Sequence, residues 1–107
     1  MAEKPHTIAI IEDDPSLSGI LTEIVTSSPS WNLVNTFSTA ESALEEMSKS
    51  CPEVVLMDIQ LPGMSGIECV AKLKALHPEV MVLMVTVYDN NERIFDALAS
   101  GASGYLL

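Results

Sequence analysis

Val54-Val55-Leu56-Met57 is an unbroken apolar run that stops at a carboxylate, Asp58, and is followed by Ile59-Gln60-Leu61-Pro62-Gly63-Met64-Ser65-Gly66. A short apolar run with no polar alternation has no face to give to water. It predicts a strand buried on both sides, as in a parallel sheet. Asp58 then stands at the carboxyl end of that strand, where open α/β sheets place their ligands. Pro62, Gly63 and Gly66 are loop residues, and Ser65-Gly66-Ile67-Glu68 has the pattern of a capping box that opens a helix. An aspartate in that place serves as a phosphate acceptor, a metal ligand or a loop cap. This stretch alone leaves all three open.

The same design recurs along the chain. After a loose leader, Met1 to His6, the run Thr7-Ile8-Ala9-Ile10-Ile11 also ends in carboxylates: Glu12, Asp13 and Asp14. Asp14 is the expected N-cap and Pro15 the first helical residue. Leu17, Ile20, Leu21, Ile24 and Val25 fall at helical spacing and predict one buried stripe. Trp31 to Phe37 is a more polar strand, placed at an edge. Ser38-Thr39-Ala40-Glu41 predicts a second capping box, with Ala40, Ala43, Leu44 and Met47 as the stripe of its helix. Ile67, Val70, Ala71 and Leu73 line a third helix, which His77-Pro78 stops. Val80 to Val85 is another buried strand, ending at Thr86. Asp89 and Glu92 open a helix lined by Ile94, Ala97 and Leu98 and ended by Gly101. Gly104-Tyr105-Leu106-Leu107 begins a fifth strand. Strand and helix alternate throughout, which predicts an α/β fold, a parallel sheet with helices on both faces.

Length and charge narrow the function. A chain of 107 residues is one domain with one modest core. Five basic against fifteen acidic side chains give a net charge of −10, which argues against a nucleic-acid surface on these residues. Cys51 and Cys69 lack metal-ligand spacing. With no signal peptide and no apolar run near twenty residues, they read as free thiols of a cytoplasmic protein, in or near the core. His6 and His77 read as solvated loop histidines. There is no repeat, low-complexity tract or linker.

Three strands thus end in a residue able to hold a phosphate or a metal: the acidic cluster, Asp58 and Thr86. Parallel strands put these ends on one edge of the sheet. Clustered carboxylates repel unless a cation neutralises them. Glu12, Asp13 and Asp58 with loop carbonyls make an oxygen-only set, suited to Mg²⁺ that keeps several waters. Beside such an ion a carboxylate can act as nucleophile and form an acyl phosphate, and the Thr86 hydroxyl can donate to a phosphoryl oxygen. Taken singly, the acidic run is also a helix-dipole complement, Thr86 a turn hydroxyl and Tyr105 plain core.

Taken together, Ile10-Ile11-Glu12-Asp13-Asp14-Pro15, Met57-Asp58-Ile59-Gln60-Leu61-Pro62-Gly63-Met64-Ser65-Gly66, Val85-Thr86 and Gly101-Ala102-Ser103-Gly104-Tyr105-Leu106-Leu107 resemble the receiver domain of two-component response regulators. The final segment is most similar to regulators with a LuxR-type helix-turn-helix output. The resemblance implies a flavodoxin-like sheet of five parallel strands in the order 2-1-3-4-5 with five helices. It implies that a histidine kinase phosphorylates Asp58 and that Glu12 and Asp13 hold Mg²⁺, Asp13 directly. It further implies that the Gln60 carbonyl is a backbone metal ligand and that Thr86 and Tyr105 form the switch pair. The implied role is a phosphorelay switch that controls an output, transcription through DNA binding by another domain. Such a domain is not an enzyme beyond self-phosphorylation and slow autodephosphorylation.

The family carries a Lys directly after the Gly-Tyr-Leu-Leu segment and a fifth helix beyond it, whereas this sequence stops at Leu107. The expectation is therefore of a receiver domain over residues 1–107 cut short before both, with no output domain in these residues. A further expectation is a sheet face left open at Val54–Met57, Val80–Val85 and Tyr105–Leu107, which would favour a homodimer. Two other readings are weighed. An interaction-only pseudo-receiver would carry a vestigial pocket, against which the intact Glu12, Asp13, Asp58 and Thr86 set argues. A phosphatase with an Asp nucleophile would carry a second Asp two residues on, where this chain has Gln60.

Overall fold

A computed structural model describes residues 4–85 and 101–106. Strand β1 is His6–Ile11, helix α1 Pro15–Thr26, β2 Trp31–Phe37, α2 Ala40–Met47, β3 Val54–Asp58, α3 Gly66–Leu76, β4 Met81–Val85 and β5 Gly104–Leu106. Together the strands form one sheet in the order β2-β1-β3-β4-β5, and every pairing is parallel. This is the flavodoxin-like α/β order expected. The expected helix from Asp89 to Leu98, and Thr86 before it, lie outside the described residues.

The pleat of the inner strands sorts their apolar runs into two cores. Ala9, Ile11, Val55, Met57, Val82 and Met84 meet Ala40, Ala43 and Met47 of α2 and Cys69, Val70 and Leu73 of α3. Their neighbours Ile8, Ile10, Val54, Leu56 and Val85 meet Val25 of α1, with Leu21 against the edge of the group. This double burial is why the strands are continuous apolar runs rather than alternating ones. Strand β2 is the edge, as expected. Its register against β1 slips between Ile8 and Ala9, whose partners are Leu33 and Asn35, so Val34 is an extra residue on β2. Such a bulge twists an edge strand and blunts it against further pairing.

The local chemistry corrects several expectations. Helix α1 does not bury its whole stripe: Val25 is buried and Leu17 and Leu21 half-buried, but Ile20 is 55% and Ile24 62% exposed. Spacing puts these side chains on one side of the helix; it does not supply a neighbour to cover all of them. The open sheet face expected at Val54–Met57 and Val80–Val85 is also absent at Val54, Leu56 and Val85, which are buried. On the same face Met81 is 52% exposed and Leu83 half-buried, so the expected opening is kept at these two residues and lost at the other three. The cap of α2 is Thr39, not Ser38, because the Thr39 hydroxyl accepts from the Ser42 amide at 3.2 Å. In α3, Cys69 is buried and Ala71 exposed.

Both histidines have partners. His6 lies within β1, and its Nδ1 is 2.8 Å from a Glu53 carboxylate oxygen. His77 Nε2 donates to the Met47 carbonyl at 2.6 Å. Cys51 and Cys69 are free thiols, as expected.

Candidate functional site

The sheet order reverses between β1 and β3, since β2 follows β1 outward on one side and β4 follows β3 on the other. A crevice opens at the carboxyl ends of strands where such a reversal occurs. Register fixes what lines it. Ile11 pairs with Met57, so the next residue on each strand, Glu12 and Asp58, comes side by side. Carboxylate oxygens of Glu12, Asp13 and Asp58 lie within 4.8 Å of one another.

Each acid is held differently. The Glu12 amide donates to the Phe37 carbonyl at 2.9 Å, continuing the β1–β2 ladder past the strand end. That leaves the Glu12 side chain turned inward and only 4% exposed. One of its oxygens accepts from the Asp14 amide at 3.1 Å; the other, Oε2, is buried with no partner. Asp13 is exposed and Asp58 half-buried. Asp14 faces the helix rather than the crevice. Its carboxylate accepts from the Ser16 amide at 2.9 Å, as the expected N-cap. The Gln60 amide donates to Asp58 Oδ1 at 3.1 Å.

The electrostatics follow from this packing. Burial, with repulsion from Asp58 and Asp13 added, raises Glu12 from its ordinary 4.5 to about 7, against the opposing Asp14 amide. Burial also raises Asp58, against the opposing amide of Gln60. Two acids held above their normal range beside a third carboxylate are relieved either by a proton or by an added positive charge. An unpaired buried carboxylate oxygen needs a partner. All the donors are oxygens, which suits a hard divalent cation such as Mg²⁺. Glu12, Asp13 and Asp58 are the residues able to hold one.

A cleft of about 310 Å³ opens beside the cluster, lined by Glu12, Asp13, Pro15, Ser18, Thr36, Phe37 and Ser38. The hydroxyls of Ser18 and Thr36 were not singled out in the sequence, and Ser38 only as part of a capping box. Nothing marks them as a cleft there, because they come from α1, β2 and the loop after it and meet only when β2 is laid beside β1. A somewhat larger hollow of about 360 Å³ lies at the opposite edge of the sheet, among Cys51, Pro52, Glu53, His77, Glu79, Val80 and Met81. Two of its titratable groups are engaged elsewhere, Glu53 with His6 and His77 with the Met47 carbonyl, and among the described residues it gathers no set of metal-ligating side chains like that of the crevice. The three clustered carboxylates make the acidic crevice the candidate site. Of the other expected site residues, Thr86 lies outside the described residues. Tyr105 is in β5, its backbone paired with Met84.

Comparison with known proteins agrees with the fold. Residues 8–107 match the family model of the response regulator receiver domain. The nitrate/nitrite response regulator protein NarL of Escherichia coli K12 is 30% identical over 105 residues, which are 98% of this chain and 49% of that protein. The signal receiver domain of the NarL regulator from Mycobacterium tuberculosis superposes with a TM-score of 0.92 at 27% identity, over 98% of this chain and 85% of that one. A two-component response regulator of the LuxR family from Aurantimonas sp. SI85-9A1 gives 0.88 at 25% identity, over 94% of this chain and 72% of that one. The chain spans about half the length of the curated relatives it matches.

Proposed function

Because the chain belongs to the response regulator receiver domain family, we propose that Asp58 accepts a phosphoryl group from a histidine kinase, with Mg²⁺ held by Glu12, Asp13 and Asp58. The observation that carries this reading is Glu12: a buried carboxylate with an orphan oxygen, set beside Asp58 and Asp13 at the sheet's switch point.

The chemistry asks little of the chain beyond placement. An Asp58 carboxylate oxygen attacks the phosphorus of a phosphohistidine. The new O–P bond forms as the P–N bond breaks, and the electron pair stays on the departing imidazole nitrogen, which takes up a proton. The product is an acyl phosphate. Mg²⁺, when bound, offsets the charge on the phosphoryl oxygens. The Gln60 amide orients the Asp58 carboxylate through its bond to Oδ1. Glu12, whose amide is tied to the Phe37 carbonyl of β2, would be the buried, fixed ligand of such an ion. The Gln60 carbonyl is the proposed backbone ligand, by resemblance to the family.

By the same resemblance, Thr86 donates to the phosphoryl group once it is present, and Tyr105 follows as the second switch residue. The output is proposed to be transcription, as in the relatives named for that role, through residues other than these. Hydrolysis of the acyl phosphate would be slow and self-limiting, with no turnover of outside substrates. Among the described residues no helix is long and apolar enough to cross a membrane. The test is incubation with Mg²⁺ and a small phosphodonor followed by intact mass. One phosphoryl group is expected on the wild type and none on Asp58→Asn. Absence of any gain in the wild type would leave the interaction-only reading.

A further inference from the structure

The loop after Asp58 returns to the strand it left. Gly66, the first residue of α3, is buried, and its amide donates to the Ile59 carbonyl at 2.9 Å. A Cβ built on Gly66 would overlap the Asp58 carbonyl oxygen and stand 3.0 Å from both the Asp58 carbonyl carbon and the Ile59 Cα. These neighbours are backbone atoms, not the far end of a flexible side chain. Nor are they free to retreat, since β3 lies between β1 and β4, with Met57 paired to Ile11 and Asp58 to Val85. The Ser65 hydroxyl accepts from the Glu68 amide at 3.2 Å and pins the helix end from the other side. Gly66 is thus required for space and not for a left-handed backbone; the positive φ of this loop belongs to Gly63, at 72°.

From this contact we infer that Gly66 is a positioning residue for Asp58. The inference rests on the proposed phosphoryl chemistry for its functional meaning, but its geometric content stands alone. The bare Cα lets the first turn of α3 lie directly on the Asp58–Ile59 peptide. That sets how far the Asp58 carboxylate reaches toward Glu12 and Asp13, which belong to a different strand. Any side chain at 66 must lift either α3 or the end of β3. Both α3, anchored in the core by Cys69, Val70 and Leu73, and β3, paired on both sides, resist, so the distortion falls on the Asp58–Ile59 peptide between them. The trio is then pulled apart while the rest of the sheet keeps its register. A misplacement of about 1 Å in a reacting group is enough to slow its reaction about a hundredfold.

The experiment compares wild type, Gly66→Ala, and a control, Gly19→Ala, whose added methyl meets nothing within 4 Å. Gly66→Ala is also made in the Gly19→Ala background, which gains helix stability. Three readouts are taken: the Gln60 amide resonance, which reports the bond to Asp58; Mg²⁺ affinity; and the rate of phosphoryl uptake at saturating Mg²⁺. Gly66→Ala is expected to melt cooperatively, to shift the Gln60 resonance and to lose at least tenfold in Mg²⁺ affinity and in uptake rate. Gly19→Ala should change none of these. A folded Gly66→Ala with the wild-type Gln60 resonance, affinity and rate would overturn the inference. So would failure to fold in both backgrounds, which would make Gly66 a folding requirement. If the wild type takes up no phosphoryl group, the functional reading fails, and the Gln60 resonance still decides whether Gly66 positions Asp58.

Discussion

Glu12 should behave least like an ordinary residue of its type. Its folded-state pKa is raised from 4.5 to about 7 by burial first, so the folded chain binds a proton more tightly than the unfolded one. Linkage then makes stability fall as pH rises from 4.5 to 7, with the loss complete above 7. Without Mg²⁺, Glu12→Gln should therefore be more stable than wild type at pH ~8 by about 1–2 kcal/mol, and the difference should vanish near pH ~4. Urea melts at the two pH values check this; equal pH dependence in both proteins would contradict it. Its neighbours separate by role. Asp14→Ala removes the cap on Ser16 and should cost about 1 kcal/mol with little change in Mg²⁺ affinity. Asp13→Ala should do the reverse, weakening Mg²⁺ binding with little change in the melt of the metal-free protein. Isothermal titration of the pair decides between them. The acidic residues and their strand ends were legible in the sequence. The raised Glu12 was not, since its burial depends on β2 lying beside β1.

The elements repeat that division. The apolar runs, the Asp14 and Ser65 caps and the edge placement of β2 follow from local pattern, because strand burial and capping are decided within a few residues. Helix α1 shows the limit. Periodicity tells which side chains share a side, not what covers them, so Ile24 has the spacing of a core residue and the exposure of a surface one. Ile24→Lys should accordingly change stability by less than about 0.5 kcal/mol. The adjacent Val25→Ala should cost about 1–3 kcal/mol. Similar losses for both in thermal melts would put Ile24 back in the core. The pairing of His6 with Glu53 and of His77 with Met47 was illegible for another reason: the partners are far apart in sequence and meet only through the topology. Lys74 is a different case, with partners close by in sequence. Its Nζ donates to the Pro78 and Val80 carbonyls at 2.8 Å each, clipping the end of α3 to the start of β4. Lys74→Met keeps the stem and loses both bonds. A loss of about 1–2 kcal/mol is expected.

At the scale of the molecule, the parallel order does one thing for function. It brings Glu12 and Asp13 from the first strand loop to Asp58 at the end of β3, at the one place where the sheet reverses. Cation binding to the folded chain alone should stabilise the whole molecule, by roughly 2.7 kcal/mol at a hundredfold excess over the dissociation constant. That gain should be largely lost in Asp13→Ala. The central claim is narrower: one carboxylate of the three carries the phosphoryl group. It is tested most directly by treating the wild type with Mg²⁺ and a phosphodonor, trapping the acyl phosphate with borohydride, and locating the reduced residue by fragmentation of its peptides. Reduction at Asp58 alone is the expected result. Label at Glu12, at Asp13 or anywhere else in place of Asp58 would contradict the account.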